Sequence, residues 1–194
     1  MPRRHPPKVR PLRVSEAEKV GEMTLAAYDA YGTLTGPYRD RVGDPASRIA
    51  TSTAVLVAEL DGRVAGTVTF VLPRDPDWEP RPEPAGDAGF RILAVAPWAE
   101  GRGVGRALVE ACIVRARDAG ARRLVITTMA WMRRAHLLYH RMGFDHRPDL
   151  DVVFPSGLGH TYVRDLQPDA GEHFPPPAPV PAEAPWFEDV WALP

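Results

Sequence analysis

A glycine-rich stretch, GRGVG at residues 101–105, is the part of the sequence best suited to chemistry. An apolar run precedes it and a helical pattern follows, so it should form the turn between a strand and a helix. The first N–H groups of a helix have no partner within the helix, and the helix dipole makes this end partly positive. Glycines at 101, 103 and 105 would let an anion approach these groups, and Arg102 and Arg106 add positive charge. The stretch therefore predicts a phosphate or pyrophosphate site.

Two other phosphate-binding loops fit this stretch less well. The loop of nucleoside triphosphate-binding proteins ends in Gly-Lys-Ser/Thr, and no such Lys-Ser/Thr pair occurs here. The dinucleotide-binding pattern is G-x-G-x-x-G in the first βαβ unit, whereas this stretch reads G-x-G-x-G and lies mid-chain. A third alternative is that the glycines only allow tight packing of the turn.

The elements around this stretch follow from apolar periodicity and turn signals. Strands are predicted at 12–14, on both sides of Asp61-Gly62 within 54–73, and at 90–95, 123–127, 152–154 and 160–166; helices are predicted at 16–30, with a capping box from Ser15 to Glu18, and at 37–50, 103–120 and 132–143. Asp61-Gly62 predicts a hairpin, and the strand–helix–strand unit over 90–127 predicts a parallel pair with a right-handed crossover. The fold class is therefore α/β, with a mixed, mostly antiparallel sheet and helices on both faces.

Composition limits the function classes. The chain has 194 residues, a net charge of −1 and 44% hydrophobic residues, which suits one domain with a sizeable core. The near-neutral charge argues against a nucleic-acid binder, and no apolar run approaches the roughly 18 residues of a membrane span. The single cysteine, Cys112, excludes an intrachain disulfide. We expect a cytoplasmic protein that binds neither nucleic acid nor membrane.

Proline divides the chain. The 22 prolines cluster in residues 2–11, 73–84 and 168–194, and proline is poorly suited to core segments. We predict a flexible basic arm at 1–10, a folded domain at 11–167 and a Pro-rich C-terminal tail at 168–194. The tail ends with aromatic residues that are unusual in a solvated segment: Trp186, Phe187 and Trp191. It either folds back on its own domain or contacts a second subunit, which would make a homodimer.

Two motifs lie on either side of the predicted strand 123–127. The first runs from Val95-Ala96-Pro97 into Glu100-Gly101-Arg102-Gly103-Val104-Gly105, and the second is Ala135, Leu138, Tyr139, Gly143 and Phe144. Together they resemble the GCN5-related N-acetyltransferase (GNAT) superfamily, and the order of elements matches over 11–167. Two residues depart from the family pattern: Glu100 replaces the usual Arg or Gln, and Met132 replaces a frequent Asn.

The resemblance implies an enzyme that moves an acetyl group directly from acetyl-CoA to a primary amine, without a metal. It implies that two parallel strands, here 90–96 and 123–128, part so that the pantetheine arm lies between them. The cofactor contacts that it implies are the backbone of Leu93, Ala94 and Val95 for pantetheine, and Gly101, Arg102, Gly103, Val104, Gly105 and Arg106 for pyrophosphate. The N–H of Val95 is a candidate donor to the thioester oxygen.

Acetyl transfer also needs a neutral amine and a proton for the departing thiolate. By resemblance, Tyr139 is the general acid; the alternative is a packed helix residue. The general base is not identified, because strand 90–95 carries Arg91 where many family members have Glu. Glu59 and Asp87 are candidate bases, and solvated strand ends are the alternative reading for both.

The acceptor, a small-molecule or protein amine, should bind between 28–50, 73–88 and 145–160. Tyr28, Tyr31 and Trp78 are candidate substrate contacts, and acidic residues in the second segment suggest a cationic acceptor: Asp75, Asp77, Glu79 and Glu83. His136 and His140 have metal-binding spacing on a helix, but no carboxylate motif accompanies them, so no metal is predicted. A non-catalytic acyl-CoA-binding or regulatory module stays open as an alternative, as does an acyltransferase for another acyl group.

Overall fold

The structure is a computed structural model, which describes residues 6–78, 87–154, 157–167 and 191–192. The strands are β1 Lys8–Pro11, β2 Thr33–Leu34, β3 Ala54–Leu60, β4 Arg63–Val71, β5 Asp87–Val95, β6 Arg123–Met129, β7 Asp145–His146, β8 Val152–Phe154, β9 Gly157–Asp165 and β10 Trp191–Ala192. The α-helices are α1 Ala17–Asp29, α2 Gly36–Gly43, α3 Pro45–Thr51, α4 Val104–Asp118 and α5 Arg133–Arg141. None of these helices combines the length and the apolar character that a membrane crossing needs.

Eight strands form one sheet in the order β1-β3-β4-β5-β6-β9-β7, and β8 also pairs with β9. Within this sheet β5 and β6 run parallel, and the other described pairs are antiparallel. The predicted mixed, mostly antiparallel α/β sheet is confirmed. The predicted hairpin is confirmed as well: Asp61 and Gly62 join β3 to β4 with positive φ angles of 53° and 76°, as the tight hairpin turn requires.

Helices cover both faces of the sheet because the side chains of each strand alternate between them. On β3, Leu56 and Ala58 lie in the same core cluster as α4, whereas Val55 and Val57 lie in a cluster with α1. Each fully buried Val or Leu side chain contributes about 1.5–3 kcal/mol to folding. The two faces therefore hold α4 and α1 on opposite sides of the central strands.

Several predicted boundaries were wrong. The first strand spans Lys8–Pro11, which overlaps the end of the segment predicted as an arm, and pairs with β3; it does not lie at 12–14. The capping box from Ser15 to Glu18 does not form: Glu16 is the N-cap of α1, and its carboxylate accepts a hydrogen bond from Arg13 N at 3.3 Å.

The helix predicted at 37–50 is two helices, α2 and α3. The break falls at Asp44, whose Oδ1 accepts a hydrogen bond from Ser47 N at 3.0 Å as the N-cap of α3. Pro45 follows, and a residue before proline is disfavoured in helical geometry. An Asp-Pro pair inside a helical pattern was thus the signal for two helices.

The end of the Pro-rich tail pairs with the domain. Strand β10 is antiparallel to β2, with Trp191 opposite Leu34 and Ala192 opposite Thr33. Residues 168–190, including Trp186 and Phe187, lie outside the described residues, as do residues 79–86.

Candidate active site

The parallel strands β5 and β6 pair at one end and part at the other. Their register joins Asp87, Ala88 and Gly89 to Arg123, Leu124 and Val125. Beyond these three pairs the two described strands no longer pair, although β5 continues to Val95 and β6 to Met129. An opening between the strands therefore lies at the end of β5 that leads into the glycine-rich turn.

A β-bulge in β5 accompanies this parting. Thr69 of β4 pairs with Arg91 and Thr67 pairs with Ala94, so one residue of β4 faces two residues of β5, Ile92 and Leu93. Ile92 has a φ of 49°, which is unusual for a β-branched residue. Backbone strain of this kind costs about 1–3 kcal/mol and clusters at functional sites. The bulge thus marks the parted end of β5 as a functional-site candidate.

The glycine-rich turn places the N-terminus of α4 beside this opening. Gly103 is the N-cap of α4 with φ 84°, Gly101 has φ 70°, and no side chain caps the helix start. Apart from the residues adjacent in the chain, no atom of the described residues lies within 4 Å of a Cβ built on either glycine, so the space in front of both is open. Gly105 differs, since a Cβ there would lie 3.3 Å from Leu138 Cδ2. Close packing therefore accounts for the third glycine, and positive φ for the first two.

Ion pairs surround the turn. Glu100, the residue that departs from the family pattern, pairs with Arg134 in the first turn of α5. Arg102 Nη2 lies 2.6 Å from Asp61 Oδ2, and Arg106 Nε lies 2.8 Å from Glu110 Oε1. Both predicted arginines thus stand at the turn, and Arg134 joins them. Arg134 was missed because its approach to Glu100 depends on how α5 packs against the turn.

The model of the acetyltransferase (GNAT) family matches residues 22–144, which is more than half of the chain. The chain belongs to this family. The suspected resemblance is confirmed, and no curated protein sequence matches the chain significantly.

Solved structures of the GNAT fold superpose on the chain. A Streptococcus mutans protein shares 23% identity at a TM-score of 0.66, covering 82% of this chain and 99% of that one. The YncA protein of Salmonella typhimurium, solved with its cofactor acetyl-CoA, shares 23% identity at a TM-score of 0.62, and the match covers 89% of this chain and 98% of that one. A GNAT family acetyltransferase from Brucella melitensis in complex with acetyl-CoA shares 24% identity at a TM-score of 0.60, and the match covers 90% of this chain and 94% of that one. At these identities the likeness shows the fold.

Tyr139 of this GNAT chain lies next to the parting strands. Its side chain is 2% exposed on α5, and its ring lies 5.8 Å from that of Phe90 and 5.7 Å from that of Tyr162, centroid to centroid. Phe90 is the first residue of β5 beyond the paired segment. The packing of these rings fixes the position of the Tyr139 side chain.

The two candidate bases do not lie with Tyr139. Glu59 accepts hydrogen bonds from Arg10 Nε at 2.9 Å and Nη2 at 2.5 Å, on a strand separated from β5 by β4. Asp87 is buried in an ion pair with Arg123, Oδ1 to Nε 2.8 Å, at the joined end of β5. At about 3.3 Å per residue, Asp87 is roughly 20 Å along the strand from Leu93. Neither carboxylate is a solvated strand end, and both serve ion pairs.

The candidate substrate contacts separate into different environments. Tyr28 is buried on α1 and packs in one cluster with Ile92 and Ala94; burial raises the pKa of its hydroxyl well above the ordinary value, and Tyr38 and Tyr139 add to the effect. Tyr31 is 38% exposed, with its ring 5.7 Å from that of Trp131. Trp78 is buried over Gly89 at the joined end. Of the three, only Tyr28 packs against the bulged part of β5.

The suggestion of a cationic acceptor loses two of its four residues. Asp75 Oδ2 accepts hydrogen bonds from Thr53 N at 2.7 Å and Leu72 N at 2.9 Å. Asp77 is buried, pairs with Arg41 and accepts a hydrogen bond from Thr51 Oγ1 at 2.7 Å. Both carboxylates therefore hold the described segment after β4, residues 72–78, in place. Glu79 and Glu83 lie outside the described residues.

Cys112 takes no part in the opening. It is fully buried on α4 inside the main core cluster, and burial raises the pKa of its thiol far above the ordinary value. A neutral, inaccessible thiol is a poor nucleophile. Its role is packing, as expected for a buried free cysteine.

Proposed function

We propose that this chain transfers an acetyl group from acetyl-CoA directly to a primary amine of a cytoplasmic small molecule or protein. The observation that carries the proposal is the parting of β5 from β6 beside an uncapped helix N-terminus. The pantetheine part of CoA carries amides that can pair with an open strand edge. Its diphosphate can bind the N–H groups at an open helix N-terminus, so the ligand uses both features at once.

The residues of the turn fit a pyrophosphate. The space before Gly101 and Gly103 is open, and the N–H groups at the start of α4 have no side-chain cap. Arg102 N already donates to Ala99 O at 3.3 Å, so Gly103, Val104, Gly105 and Arg106 supply the amides in this proposal. The guanidinium groups of Arg102, Arg106 and Arg134 supply charge. Glu100 is tolerated because Arg134 neutralises it.

The exposed edge of β5 fits the pantetheine arm. Leu93 is the second residue of the bulge, and Ala94 and Val95 follow it, where β5 has left the ladder with β6. Their outward backbone groups can pair with the amides of the arm, and the N–H of Val95 can donate to the thioester oxygen. Acetyl-CoA, when bound here, supplies an activated acyl group.

Tyr139 acts as general acid in this proposal. Its ring is held by Phe90 and Tyr162, and in this proposal its hydroxyl donates a proton to the departing sulfur. A placed acid contributes about 10²–10⁴-fold in rate. Tyr28 is unsuited to the role of base, because its raised pKa keeps its hydroxyl protonated at neutral pH. Because Glu59 and Asp87 are held in ion pairs, water accepts the proton of the amine in this proposal.

Two measurements test the proposal in sequence. Acetyl-CoA should raise the unfolding temperature, since a ligand at 100 times its dissociation constant stabilises by about 2.7 kcal/mol. Free-thiol release should then appear with at least one member of an amine panel that spans amino acids, polyamines and peptide N-termini. The absence of stabilisation by both acetyl-CoA and CoA would refute cofactor binding at this site.

A second candidate is a non-catalytic acyl-CoA-binding module. The ion pairs of Glu59 and Asp87 favour it, since they leave both predicted bases occupied. Stabilisation by acetyl-CoA without thiol release from any amine would support this candidate over the enzyme. Repeating the panel with longer acyl-CoA donors separates it from an acyltransferase with another acyl group.

A further inference from the structure

A histidine–aspartate cluster lies at the edge of the sheet opposite β1. We use this name for His146 of β7, Asp151, which follows the short 3₁₀ helix Pro148–Leu150, and His160 of β9. The three residues are each partly buried, and one ligand atom from each lies within 4.8 Å of the other two. Three separate backbone elements thus converge on one point.

The donor atoms face one another at close range. His146 Nε2 lies 2.7 Å from His160 Nδ1, and these two nitrogens lie 3.0 Å and 3.2 Å from Asp151 Oδ2. In a tetrahedral site with metal–ligand bonds of about 2.0–2.1 Å, ligand atoms lie roughly 3.3 Å apart. The separations of 3.0 Å and 3.2 Å are close to this spacing, and the 2.7 Å separation needs an expansion of about 0.6 Å.

Protons alone satisfy this triangle poorly. If only one of the two facing imidazole nitrogens carries a proton, that nitrogen can donate a hydrogen bond. The other nitrogen and the Asp151 oxygen then face each other with lone pairs only. If both nitrogens carry protons, the 2.7 Å contact between His146 and His160 brings two N–H groups together. A cation at the centre accepts a lone pair from all three atoms.

Neighbouring residues hold the donors in this arrangement. Thr161 N donates to Asp151 Oδ1 at 2.8 Å, which orients the carboxylate so that Oδ1 and Oδ2 both lie 3.0 Å from His146 Nε2. The ring of His146 stacks on Tyr162 with centroids 5.3 Å apart. Outer partners of this kind orient ligands in known metal sites.

The pair with metal-binding spacing in the sequence, His136 and His140, is not the donor set. His136 Nε2 lies 2.9 Å from Met129 O and must donate to it, so Nδ1 accepts from the Tyr162 hydroxyl at 2.7 Å. Burial also lowers the pKa of His136, which favours this neutral form. Both of its nitrogens are therefore engaged in hydrogen bonds.

We propose that His146 Nε2, His160 Nδ1 and the Asp151 carboxylate bind one divalent transition-metal ion, Zn²⁺ in the first instance. Two imidazoles and one carboxylate are a zinc donor set that leaves a fourth position for water. The ion would fix β7 and the segment before β8 to β9. This site is independent of acetyl transfer, so its failure would leave the proposed function untouched.

Metal titration of the full chain, prepared without a polyhistidine tag and freed of metal with a chelator, tests the site. Zn²⁺ should bind with one equivalent by calorimetry, and Co²⁺ should give the visible absorption of a tetrahedral site. Replacement of one donor, in His160→Ala or Asp151→Asn, should lower affinity at least as much as loss of a hydrogen-bond partner of a ligand does, which is about 10–100-fold. Zn²⁺ should raise the unfolding temperature of the wild type and not that of these variants.

His140→Ala is the matched control, because His140 lies beside Tyr162 but outside the donor triangle. It should bind metal like the wild type. Asp151→Asn keeps the size of the side chain and an oxygen for Thr161 N, so it reports on the site even if His160→Ala unfolds. Failure of the wild type to bind one equivalent, or unchanged binding in both donor variants, would overturn the proposal.

Discussion

The two ends of the β5–β6 pair are built in opposite ways from the same two strands. At the joined end, three residue pairs and the buried Asp87–Arg123 ion pair hold the strands together. At the parted end, an added residue in β5 and the open N-terminus of α4 keep them apart. The difference shows that an opening in a sheet needs a closed end that fixes its geometry.

Charge is also distributed differently at the two ends. The ion pair at the joined end is almost fully buried, at 2% and 0% side-chain exposure, whereas the Glu100–Arg134 pair at the parted end is 71% exposed at the arginine. Breaking a buried pair leaves a charge without solvent, and breaking an exposed one leaves it in water. Substitutions at the joined end should therefore reduce stability, and those at the parted end should change ligand binding or rate.

The largest effect is expected at Tyr139. Tyr139→Phe should lower the maximal rate of acetyl transfer by about 10²–10⁴-fold, since it removes the proposed acid while keeping the packed ring. The unfolding temperature should stay close to that of the wild type. Tyr162→Phe is the control: its hydroxyl bonds His136, so its rate should stay within a few-fold. A loss of only a few-fold in Tyr139→Phe, with the fold intact, would count against the acid role.

The next effect concerns the joined end. Asp87→Ala should lower the free energy of unfolding by about 3–5 kcal/mol, because Arg123 then keeps a buried charge without its carboxylate. Urea denaturation measures this change. Asp149→Ala breaks an exposed pair with Arg147 and should cost no more than about 1 kcal/mol. Equal losses in the two variants would contradict the assignment of stability to the joined end.

A smaller effect is expected at the N-terminus of α4. Gly103→Ala introduces a Cβ at φ 84°, which costs about 1–2 kcal/mol in stability. The same methyl group occupies the open space before the turn, so CoA affinity should fall about tenfold, or roughly 1.4 kcal/mol. Gly62→Ala carries the same strain at φ 76° in the β3–β4 hairpin. Calorimetry with CoA should show a loss in the first variant alone; a matching loss in Gly62→Ala would point to strain as the cause.

The smallest effect is expected at Glu100. Glu100→Gln removes a carboxylate next to the proposed pyrophosphate site and frees Arg134. CoA affinity should rise by a few-fold, in line with the roughly 0.2–1 kcal/mol of an exposed ion pair. Asp149→Asn, which changes an exposed pair away from the turn, should leave affinity unchanged. Weaker CoA binding in Glu100→Gln would show that the carboxylate supports the site.

Local signals in the sequence predicted the elements that build the opening. The hairpin turn at Asp61-Gly62, the glycines before α4 and the strand–helix–strand unit each depend on residues close in the chain. The positions of α1, α4, α5 and β8 therefore agree with prediction within a few residues. The Asp44 cap and Pro45 were also local, so the break between α2 and α3 was readable from the sequence.

Long-range contacts were not readable in this way. The pairing of Asp87 with Arg123 and of Glu59 with Arg10 joins residues far apart in sequence, so both carboxylates could be mistaken for free bases. The histidine–aspartate cluster requires β7 and β8 to meet β9 with a gap that admits Asp151. A single sequence gives no register for such pairs.

The bulge at Ile92 has a consequence for how the two cores share one strand. Before it, Ala88 and Phe90 point toward the α4 core; from Ile92 onward, Ile92 and Ala94 point toward Tyr28 of α1. The even-numbered side chains of β5 thus change faces of the sheet at the bulge. A prediction based on strict alternation along β5 would therefore assign one half of the strand to the wrong core. Deleting one of the two bulged residues would restore strict alternation with Thr67 still opposite Ala94, so the packing of the two cores does not by itself require the added residue.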